Sequence, residues 1–409
     1  MKPISSIKPV KTRGIQGLDK IRKPQSHRYI IMAQDDKGMD NLQTITGKNP
    51  GFSIKDELPI INGAVIEISG GQGLDTLRQL KAMGLIIAED KKVQVPQEPE
   101  AEIQPPTRME KVAKSYNLKK LHDQGITGKG VGVAIVDSGV MAHEDYKDRI
   151  SLFIDLTKDQ KEEPYDEHGH GTHIAGIIAG DGKRSKGKYV GVAPEANIIG
   201  IKVLNHFGGG YLSAYIRGIQ LAVENMDEYN IKVLNFSLGL NQNSSYHFDP
   251  MAMAVEEAVK AGLTVVVAGG NEGHMTGTIS TPGIAPNAIT VGGLDDRAMP
   301  TKRVARFSSY GPTRYDNIMK PDVIAPGYEI YSTSISNNYI DRTGTSMSAP
   351  IVSGLAAMLY QLKPDLTPDE VKEIIKETAV PLAKEPEYAQ GKGEIDPEAA
   401  IKKLKEKLK

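Results

Sequence analysis

The sequence of 409 residues contains no cysteine. Disulfide bridges and thiol chemistry are therefore excluded. A chain of this length can bury a core that is stable without disulfides, so the absence of cysteine does not indicate a compartment. The same length favours one large domain and an additional unit.

The sequence also has little net charge and no long apolar run. It contains 50 Lys and Arg against 51 Asp and Glu, a formal net charge of −1. Because this balance offers no field for nucleic acid, we expect no nucleic-acid partner. No run could span a bilayer, so we expect no membrane partner. Residues 1–14 lack the apolar stretch of a signal peptide, which favours a cytoplasmic location, or a secreted one if a signal has been trimmed.

The most informative segment is Gly344-Thr345-Ser346-Met347-Ser348-Ala349-Pro350. Gly344 permits a tight turn, and the small apolar residues that follow predict a buried helix. The first N–H groups of this helix would point at Ser346, which could then face developing negative charge. A serine hydroxyl is a weak nucleophile without a neighbouring base. This interpretation therefore requires a histidine and a carboxylate elsewhere in the chain.

A suitable carboxylate and a suitable histidine are both present. Asp137 follows the apolar, β-branched run 132–136, which predicts a buried strand that ends in a turn. His170 begins the segment His170-Gly171-Thr172-His173, and the small residues 174–180 predict a buried helix whose first turn carries its imidazole. The chain order Asp, His, Ser is the order of the subtilisin triad.

Further segments accompany these three residues in a fixed order. They are Asp137-Ser138-Gly139, His170-Gly171-Thr172-His173, Ala268-Gly269-Gly270-Asn271-Glu272-Gly273 and Gly344-Thr345-Ser346-Met347, with 191–194, 237–239, 307–312 and 320–327. Together they resemble the subtilisin-like serine proteases, the subtilase family, over residues 107–409. The activity implied by this resemblance is that of a serine endopeptidase of broad specificity, with protein and peptide substrates.

The resemblance implies a role for each of four residues. Asp137 would orient the imidazole, and His170 would act as general base and then as general acid. Ser346 would be the nucleophile and would form an acyl-enzyme. The Asn271 side chain and the Ser346 backbone N–H would bind the oxyanion.

The same resemblance implies how a substrate would bind. An extended peptide would lie as an added strand between two edges of the enzyme, and backbone pairing implies broad sequence tolerance. The implied edges are Gly208, Gly209 and Gly210 on one side and Ser237, Leu238 and Gly239 on the other. The implied pockets are lined by Leu212, Tyr215 and Leu238 for the fourth residue before the cut, and by Ala268, Gly269, Gly270, Ser280 and Gly283 for the residue just before it.

Two other functions compete with this interpretation. A non-enzymatic pseudoprotease would keep the peptide cleft and lose a catalytic group, yet Asp137, His170, Asn271 and Ser346 are all present. A zinc hydrolase could use the histidine cluster at 168, 170 and 173. That alternative leaves the aspartate, the asparagine and the nucleophilic serine unexplained.

The resemblance also bears on cofactors. Catalysis by a serine protease implies no cofactor, but many subtilisins bind calcium in the loop after the histidine helix. Here that loop, 180–189, contains four cations and one carboxylate, whereas calcium requires clustered oxygen ligands. Asp145 is a weak candidate for a remaining calcium ligand, and the acidic run Asp155–Glu167 could hold a different ion. The basic loop and the signal-free start resemble the intracellular branch of bacterial subtilisins.

The pattern of apolar runs predicts the fold class. Buried strands at 132–136 and 263–268 alternate with helical segments at 212–226 and 251–261. This alternation is typical of an α/β domain with a mostly parallel sheet and helices on both faces.

The N-terminal part of the chain predicts a separate, small α+β unit over residues 27–95. Strands are predicted at 27–32, 64–68 and 85–95, and a helix at 74–81. In pattern and position this unit resembles the inhibitory propeptides of secreted subtilisins, which implies an autoinhibited precursor whose own propeptide is its partner. An unrelated adaptor domain is the alternative. Residues 1–26 predict a flexible lead, 96–106 a Pro- and Glu-rich linker with the processing region, and 107–409 the catalytic domain.

Overall fold

The computed structural model describes residues 27–34, 52–68, 73–95, 98–99, 109–241, 244–297 and 302–408. The predicted lead, and all of the predicted linker except residues 98–99, lie outside the described residues. Within the described ranges, no helix is long and apolar enough to cross a membrane.

In residues 27–95, the N-terminal module, the described ranges contain an antiparallel sheet and one α-helix. The elements are β1 (His27–Met32), β2 (Phe52–Leu58), β3 (Gly63–Ile68), α1 (Gly73–Ala82) and β4 (Ile86–Glu89), and the strand order is β2-β3-β1-β4. Side chains alternate across this sheet: Ile31 packs in the module's own core, whereas Ile30 and Met32 pack in a core shared with the large domain. The predicted α+β class of this unit is confirmed.

The prediction of a single strand over residues 85–95 is wrong. β4 ends at Glu89, and a separate strand, β5 (Lys92–Gln94), pairs with the large domain. The chain breaks away between them because the buried carboxylate of Asp90 accepts the N–H and the hydroxyl of Ser213, each at 2.9 Å. β4 thus ends at the residue before Asp90, which contacts the large domain.

The large domain contains eleven strands and nine α-helices among its described residues. Its strands are β6 (Gly132–Asp137), β7 (Ile150–Asp155), β8 (Asn197–Lys202), β9 (Gly209–Tyr211), β10 (Ile231–Phe236), β11 (Thr264–Ala268), β12 (Ile289–Asp295), β13 (Arg303–Val304), β14 (Val323–Pro326), β15 (Ile330–Thr333) and β16 (Tyr339–Arg342). Its helices are α2 (Met109–Ser115), α3 (Leu118–His122), α4 (His170–Ala179), α5 (Leu212–Glu224), α6 (Pro250–Lys260), α7 (Thr345–Leu362), α8 (Pro368–Thr378), α9 (Glu387–Gln390) and α10 (Pro397–Lys407).

The main sheet has the strand order β13-β12-β11-β10-β6-β8-β7, and β14 also pairs with β12. Its described pairings are parallel except that of β12 with β13. Along β6, Val133 and Ile135 pack with α4 and α7 on one face, while Ala134 and Val136 pack with α5 and α6 on the other. The predicted α/β fold with helices on both faces is confirmed.

Candidate active site

Asp137 is the last residue of β6, at the carboxyl edge of the parallel sheet. Its side chain is buried, and its Oδ1 accepts the N–H of Ser138 at 2.6 Å. Both carboxylate oxygens lie 2.9 Å from Nδ1 of His170. This contact places the ring hydrogen on Nδ1, because a carboxylate accepts, and it leaves Nε2 free to act as a base.

His170 is the first residue of α4, and Asp166 holds this helix start. One oxygen of Asp166 accepts the N–H groups of His168 and Gly169 at 3.0 and 2.8 Å. The other accepts the N–H and the hydroxyl of Thr172 at 3.0 and 2.7 Å. These bonds satisfy N–H groups that have no partner inside the helix. Sequence reasoning missed this role, although an aspartate shortly before a helix is a capping signal.

Ser346 lies in the first turn of α7 and is 5% exposed. Its hydroxyl donates to the carbonyl of Ser237 at 2.7 Å, and Ser237 directly follows β10. Among the described residues, the Ser237 carbonyl is the hydrogen-bond partner of the Ser346 hydroxyl. The hydroxyl is therefore engaged by the backbone and makes no described hydrogen bond to His170.

Asn271 is fixed by Thr345. Its Oδ1 accepts the N–H of Thr345 at 3.0 Å and the hydroxyl of the same residue at 2.9 Å. These two donors identify which atom of the Asn271 amide is the oxygen, so the other atom is Nδ2. Nδ2 faces Gly344, and a Cβ added at Gly344 would lie 3.1 Å from it. Gly344 has a φ of +146°, so a side chain there is excluded by conformation as well. Sequence reasoning did not identify Thr345 as a positioning residue.

A buried lysine supports the loops around Asp137. Lys202 pairs in register with Asp137, and its Nζ donates to the carbonyls of Ser138 and Leu204 at 2.6 and 2.7 Å. The carboxylate of Glu167 lies 3.2 Å from the same Nζ. One cation thus links the loop after β6 to the loop that leads into β9.

The three glycines at 208–210 lie on an edge that pairs with the N-terminal module. β5 is an antiparallel partner of β9, in the register Lys92 to Tyr211, Val93 to Gly210 and Gln94 to Gly209. The N–H of Val95 donates to the carbonyl of Gly208 at 2.8 Å. The module thus adds a strand to this edge of the large domain.

The structure brings the predicted pocket residues together in two groups. Leu212, Tyr215 and Leu238 are buried in one apolar cluster, which also contains Val93 of β5. In the second group, the side chain of Ser280 lies close to two glycines. A Cβ added at Gly239 would lie 2.9 Å from the Cβ of Ser280, and a Cβ added at Gly270 would lie 2.2 Å from its Oγ. The N–H of Ser280 donates to the carbonyl of Gly269 at 2.9 Å. A Cβ added at Gly283 would lie 2.9 Å from the carbonyl oxygen of Ser280 and 3.2 Å from that of Ala268, the last residue of β11.

Comparison with known proteins decides the family. A model of the subtilase family matches residues 128–394. The chain belongs to the subtilase family. Serine protease AprX of Bacillus subtilis (strain 168) is 44% identical over 301 residues, which cover 68% of this chain and 67% of that protein. Subtilisin DY of Bacillus licheniformis is 36% identical over 286 residues, which cover 69% of this chain and 94% of that protein.

This subtilase is also similar to solved protease structures. Fervidolysin from Fervidobacterium pennivorans, a keratinolytic enzyme related to subtilisin, matches with a TM-score of 0.71 and 25% identity, over 94% of this chain and 62% of that chain. The S41 psychrophilic protease matches with a TM-score of 0.59 and 31% identity, over 66% of this chain and 92% of that chain. The subtilase is therefore a subtilisin-like serine protease, a hydrolase, and the fervidolysin match reaches into its N-terminal module.

The surroundings of Asp145 do not fit a calcium site in this subtilase. Its Oδ1 accepts the N–H of Arg184 at 2.9 Å, and its Oδ2 accepts the hydroxyl of Tyr339 at 2.7 Å. The guanidinium of Arg184 pairs with Glu144 at 3.2 Å. The loop after α4 thus supplies hydrogen-bond donors and a cation where calcium would require oxygen ligands.

Asp155 in the acidic run and His173 in the histidine cluster are held by hydrogen bonds within the protein. Asp155 accepts hydrogen bonds from Thr157, Lys161 and Tyr165. Nε2 of His173 donates to two backbone carbonyls at 2.9 and 3.0 Å, and burial lowers the pKa of His173 to about 3, which keeps the ring neutral. Within the described ranges, no three His, Asp or Glu residues are grouped as metal ligands.

A buried ion cluster lies behind the pocket of Gly283. Nζ of Lys320 donates to Asp322 at 2.7 Å and to the carbonyl of Ala288 at 2.8 Å, and Nζ of Lys372 lies 3.2 Å from the same carboxylate. Asp322 also accepts the N–H of Thr290 at 2.8 Å. Burial lowers the pKa of Lys320 from 10.5 to about 7, and the neighbouring lysine adds to this shift.

Lys320→Met is expected to flatten the pH dependence of stability above pH 7. Between the folded pKa of about 7 and the ordinary value of 10.5, the unfolded chain binds a proton that the folded chain does not. The free energy of unfolding therefore rises with pH in this window, by at most about 1.4 kcal/mol per unit. Urea unfolding at pH 7, 8 and 9 in an inactive background measures the slope. The exposed Lys119→Met is the control, and equal slopes for both variants contradict the prediction.

Proposed function

We propose that this subtilase is a serine endopeptidase whose triad is Asp137, His170 and Ser346, acting through an acyl-enzyme. The observation that carries the proposal is the double 2.9 Å contact between His170 and the buried Asp137. His170 takes the proton of Ser346 during attack and returns it to the leaving amine. The carboxylate of Asp137 stabilises the imidazolium. A pseudoprotease would lack one of these groups.

The carbonyl of Ser237 supports a substrate-coupled step. It accepts the hydroxyl of Ser346 at 2.7 Å, and it lies on the edge assigned to the substrate backbone. A substrate N–H that binds this carbonyl competes with the hydroxyl, which is then released towards His170. Docking of the peptide thus precedes activation of the nucleophile.

The oxyanion would be bound by two donors that converge near Gly344. Asn271 presents Nδ2 because Thr345 holds its oxygen. The N–H of Ser346, in the first turn of α7, has no partner inside the helix and adds the positive end of the helix dipole. Both donors are positioned before the reaction, so they stabilise the charged intermediate more than the neutral substrate.

The N-terminal module is proposed to be an intramolecular inhibitor, and β5 on the β9 edge supports this. The added strand occupies the edge that an extended substrate would use, and Val93 fills the apolar cluster of the first pocket group. Pairing with the main chain of glycines places few constraints on the side chains of a bound peptide, which supports broad specificity. The predicted processing region, 96–106, follows this strand directly.

Asp90 is the polar anchor of the module. It accepts the N–H and hydroxyl of Ser213 in the first turn of α5, and Arg28 pairs with it at 2.9 Å. The carboxylate therefore caps a helix of the protease from outside, where the helix dipole favours negative charge.

Residues 1–95, supplied separately, are expected to inhibit the activated protease while being digested slowly. Asp90→Ala in this peptide should raise the inhibition constant roughly tenfold, the scale of losing a helix cap. Asp75→Ala, which removes an exposed ion pair with Arg78 in α1, is the matched control and should change nothing. Peptide hydrolysis followed over a range of module concentrations gives both constants. Unchanged hydrolysis at micromolar excess of unaltered module would assign it to an adaptor role instead.

A further inference from the structure

Arg342 and Glu98 form an ion pair close to the catalytic residues. Arg342 ends β16, four residues before Ser346, and its guanidinium donates to one carboxylate oxygen of Glu98. The other oxygen accepts the N–H of Thr343 at 3.4 Å. The Arg342 side chain is 18% exposed, so the charge is largely removed from solvent.

The guanidinium also adjoins the start of the histidine helix. An added Cβ at Gly169, the residue before His170, would lie 3.6 Å from Nη2 of Arg342. Nε of Arg342 is buried and has no hydrogen-bond partner among the described residues. The proximity of this cation contributes to lowering the pKa of His168 and His173, after burial. Arg342 is thus a source of positive potential beside the triad.

Val95 and Glu98 each contact a protease residue that adjoins the start of the histidine helix. Val95 binds the carbonyl of Gly208, and an added Cβ on Gly208 would lie 2.8 Å from Nε2 of His168. Glu98 binds Arg342, whose guanidinium adjoins Gly169 at the same helix start. Two residues separate Val95 from Glu98, a span of roughly 10 Å when extended. A peptide on the same path would have its reacting bond between these two contacts.

The apolar cluster sets the register of this path. If Val93 is the fourth residue before the reacting bond, as its burial with Leu212 and Tyr215 supports, that bond joins residues 96 and 97. Glu98 is then the second residue after it. The cation of Arg342 therefore faces the leaving-group side of the substrate.

We propose that Arg342 is a specificity-determining residue that selects peptides with Glu or Asp at the second position after the cleaved bond. Its guanidinium and the N–H of Thr343 form a two-donor site for a carboxylate, and Glu98 of the chain's own linker occupies it in the structure. This inference rests on the proposed function and narrows its broad specificity on one side of the cut.

Fluorescence-quenched peptides that differ only by Glu or Gln at each of the first four positions after the cut test the proposal. The full chain, incubated until its activity is constant, should cleave the peptide with Glu at the second position with a kcat/KM roughly five- to tenfold above that of the Gln peptide. The ratio should fall as ionic strength rises. Mass spectrometry of the products identifies the cleaved bond.

Variants of Arg342 distinguish a role in substrate selection from a purely structural role. Arg342→Gln should bring the ratio to one, Arg342→Lys should keep part of it, and Arg342→Glu should favour Lys over Glu at that position. Arg184→Gln, which removes a surface pair with Glu144, is the matched control and should leave the ratio unchanged. Equal cleavage of the Glu and Gln peptides by the unaltered enzyme overturns the role of Arg342 and leaves the protease assignment intact. Cleavage of neither peptide overturns both.

Discussion

Ser346→Ala is expected to abolish peptide hydrolysis and to leave the chain at full length. Removal of the nucleophile from a subtilisin-type triad costs about 10⁶ in kcat, and the residual rate over water comes from the remaining site. Because self-processing would use the same hydroxyl, the N-terminal module should stay attached. Gel electrophoresis of the purified chain and hydrolysis of a peptide substrate measure the two effects.

A serine-directed phosphonate provides the matching chemical test. It should label the unaltered chain at Ser346 after activation and leave the alanine variant unlabelled, while a chelator should leave the chemical step unaffected. Ser348→Ala removes a nearby hydroxyl that donates to the carbonyl of Pro326, and it is the control that should retain labelling. Normal maturation of Ser346→Ala, prepared without other proteases, would show that another group performs the reaction.

Asn271→Ala is expected to lower kcat by roughly 10²–10³ with little change in KM, the scale known for the oxyanion asparagine of subtilisin. The lost hydrogen bond forms mainly in the transition state, so ground-state binding is spared. Steady-state kinetics with a peptide substrate separate the two constants.

Thr345→Val gives an intermediate test of the same donor. It removes the hydroxyl that holds the oxygen of Asn271 and keeps the backbone N–H, so kcat should fall less than in Asn271→Ala. Asn287→Ala, at an exposed position, is the control and should retain full activity. An effect of Asn271→Ala on KM alone would contradict the oxyanion role.

The sequence predicts the large sheet well because its strands are continuous apolar runs. Residues 132–136 and 263–268 correspond to β6 and β11, and a short buried run bounded by glycine-rich turns has few alternatives. Asp137 follows directly, since the end of a parallel strand fixes where its last side chain lies. The helices predicted at 212–226 and 251–261 correspond to α5 and α6 for the same reason.

The module was harder to predict because its strands depend on their neighbours. β2 has exposed charged residues at 55–57 and an irregular register, so its pattern is not that of a strand, and it is stabilised by pairing with β3. The break after β4 depends on the hydrogen bonds between Asp90 and Ser213, which are 123 residues apart in the sequence. No local pattern records such a contact.

The same limit applies to the site. The identities of Asp137, His170 and Asn271 follow from motifs, but the donors and acceptors that hold them do not. Asp166 carries a local capping signal that was overlooked, but Thr345 reaches Asn271 and the Ser346 hydroxyl reaches Ser237 through bonds that only the folded chain forms. The pair of Glu98 with Arg342 joins residues 244 positions apart.

The pairing of β5 with β9 has a consequence for engineering. The strand is held by main-chain bonds and one buried valine, while the side chains of Lys92 and Gln94 are exposed. The two exposed side chains can therefore be replaced to strengthen or weaken the hold of the module while the main-chain pairing is kept. The time for which the released module keeps the enzyme inactive would then be adjustable without any change to the catalytic residues.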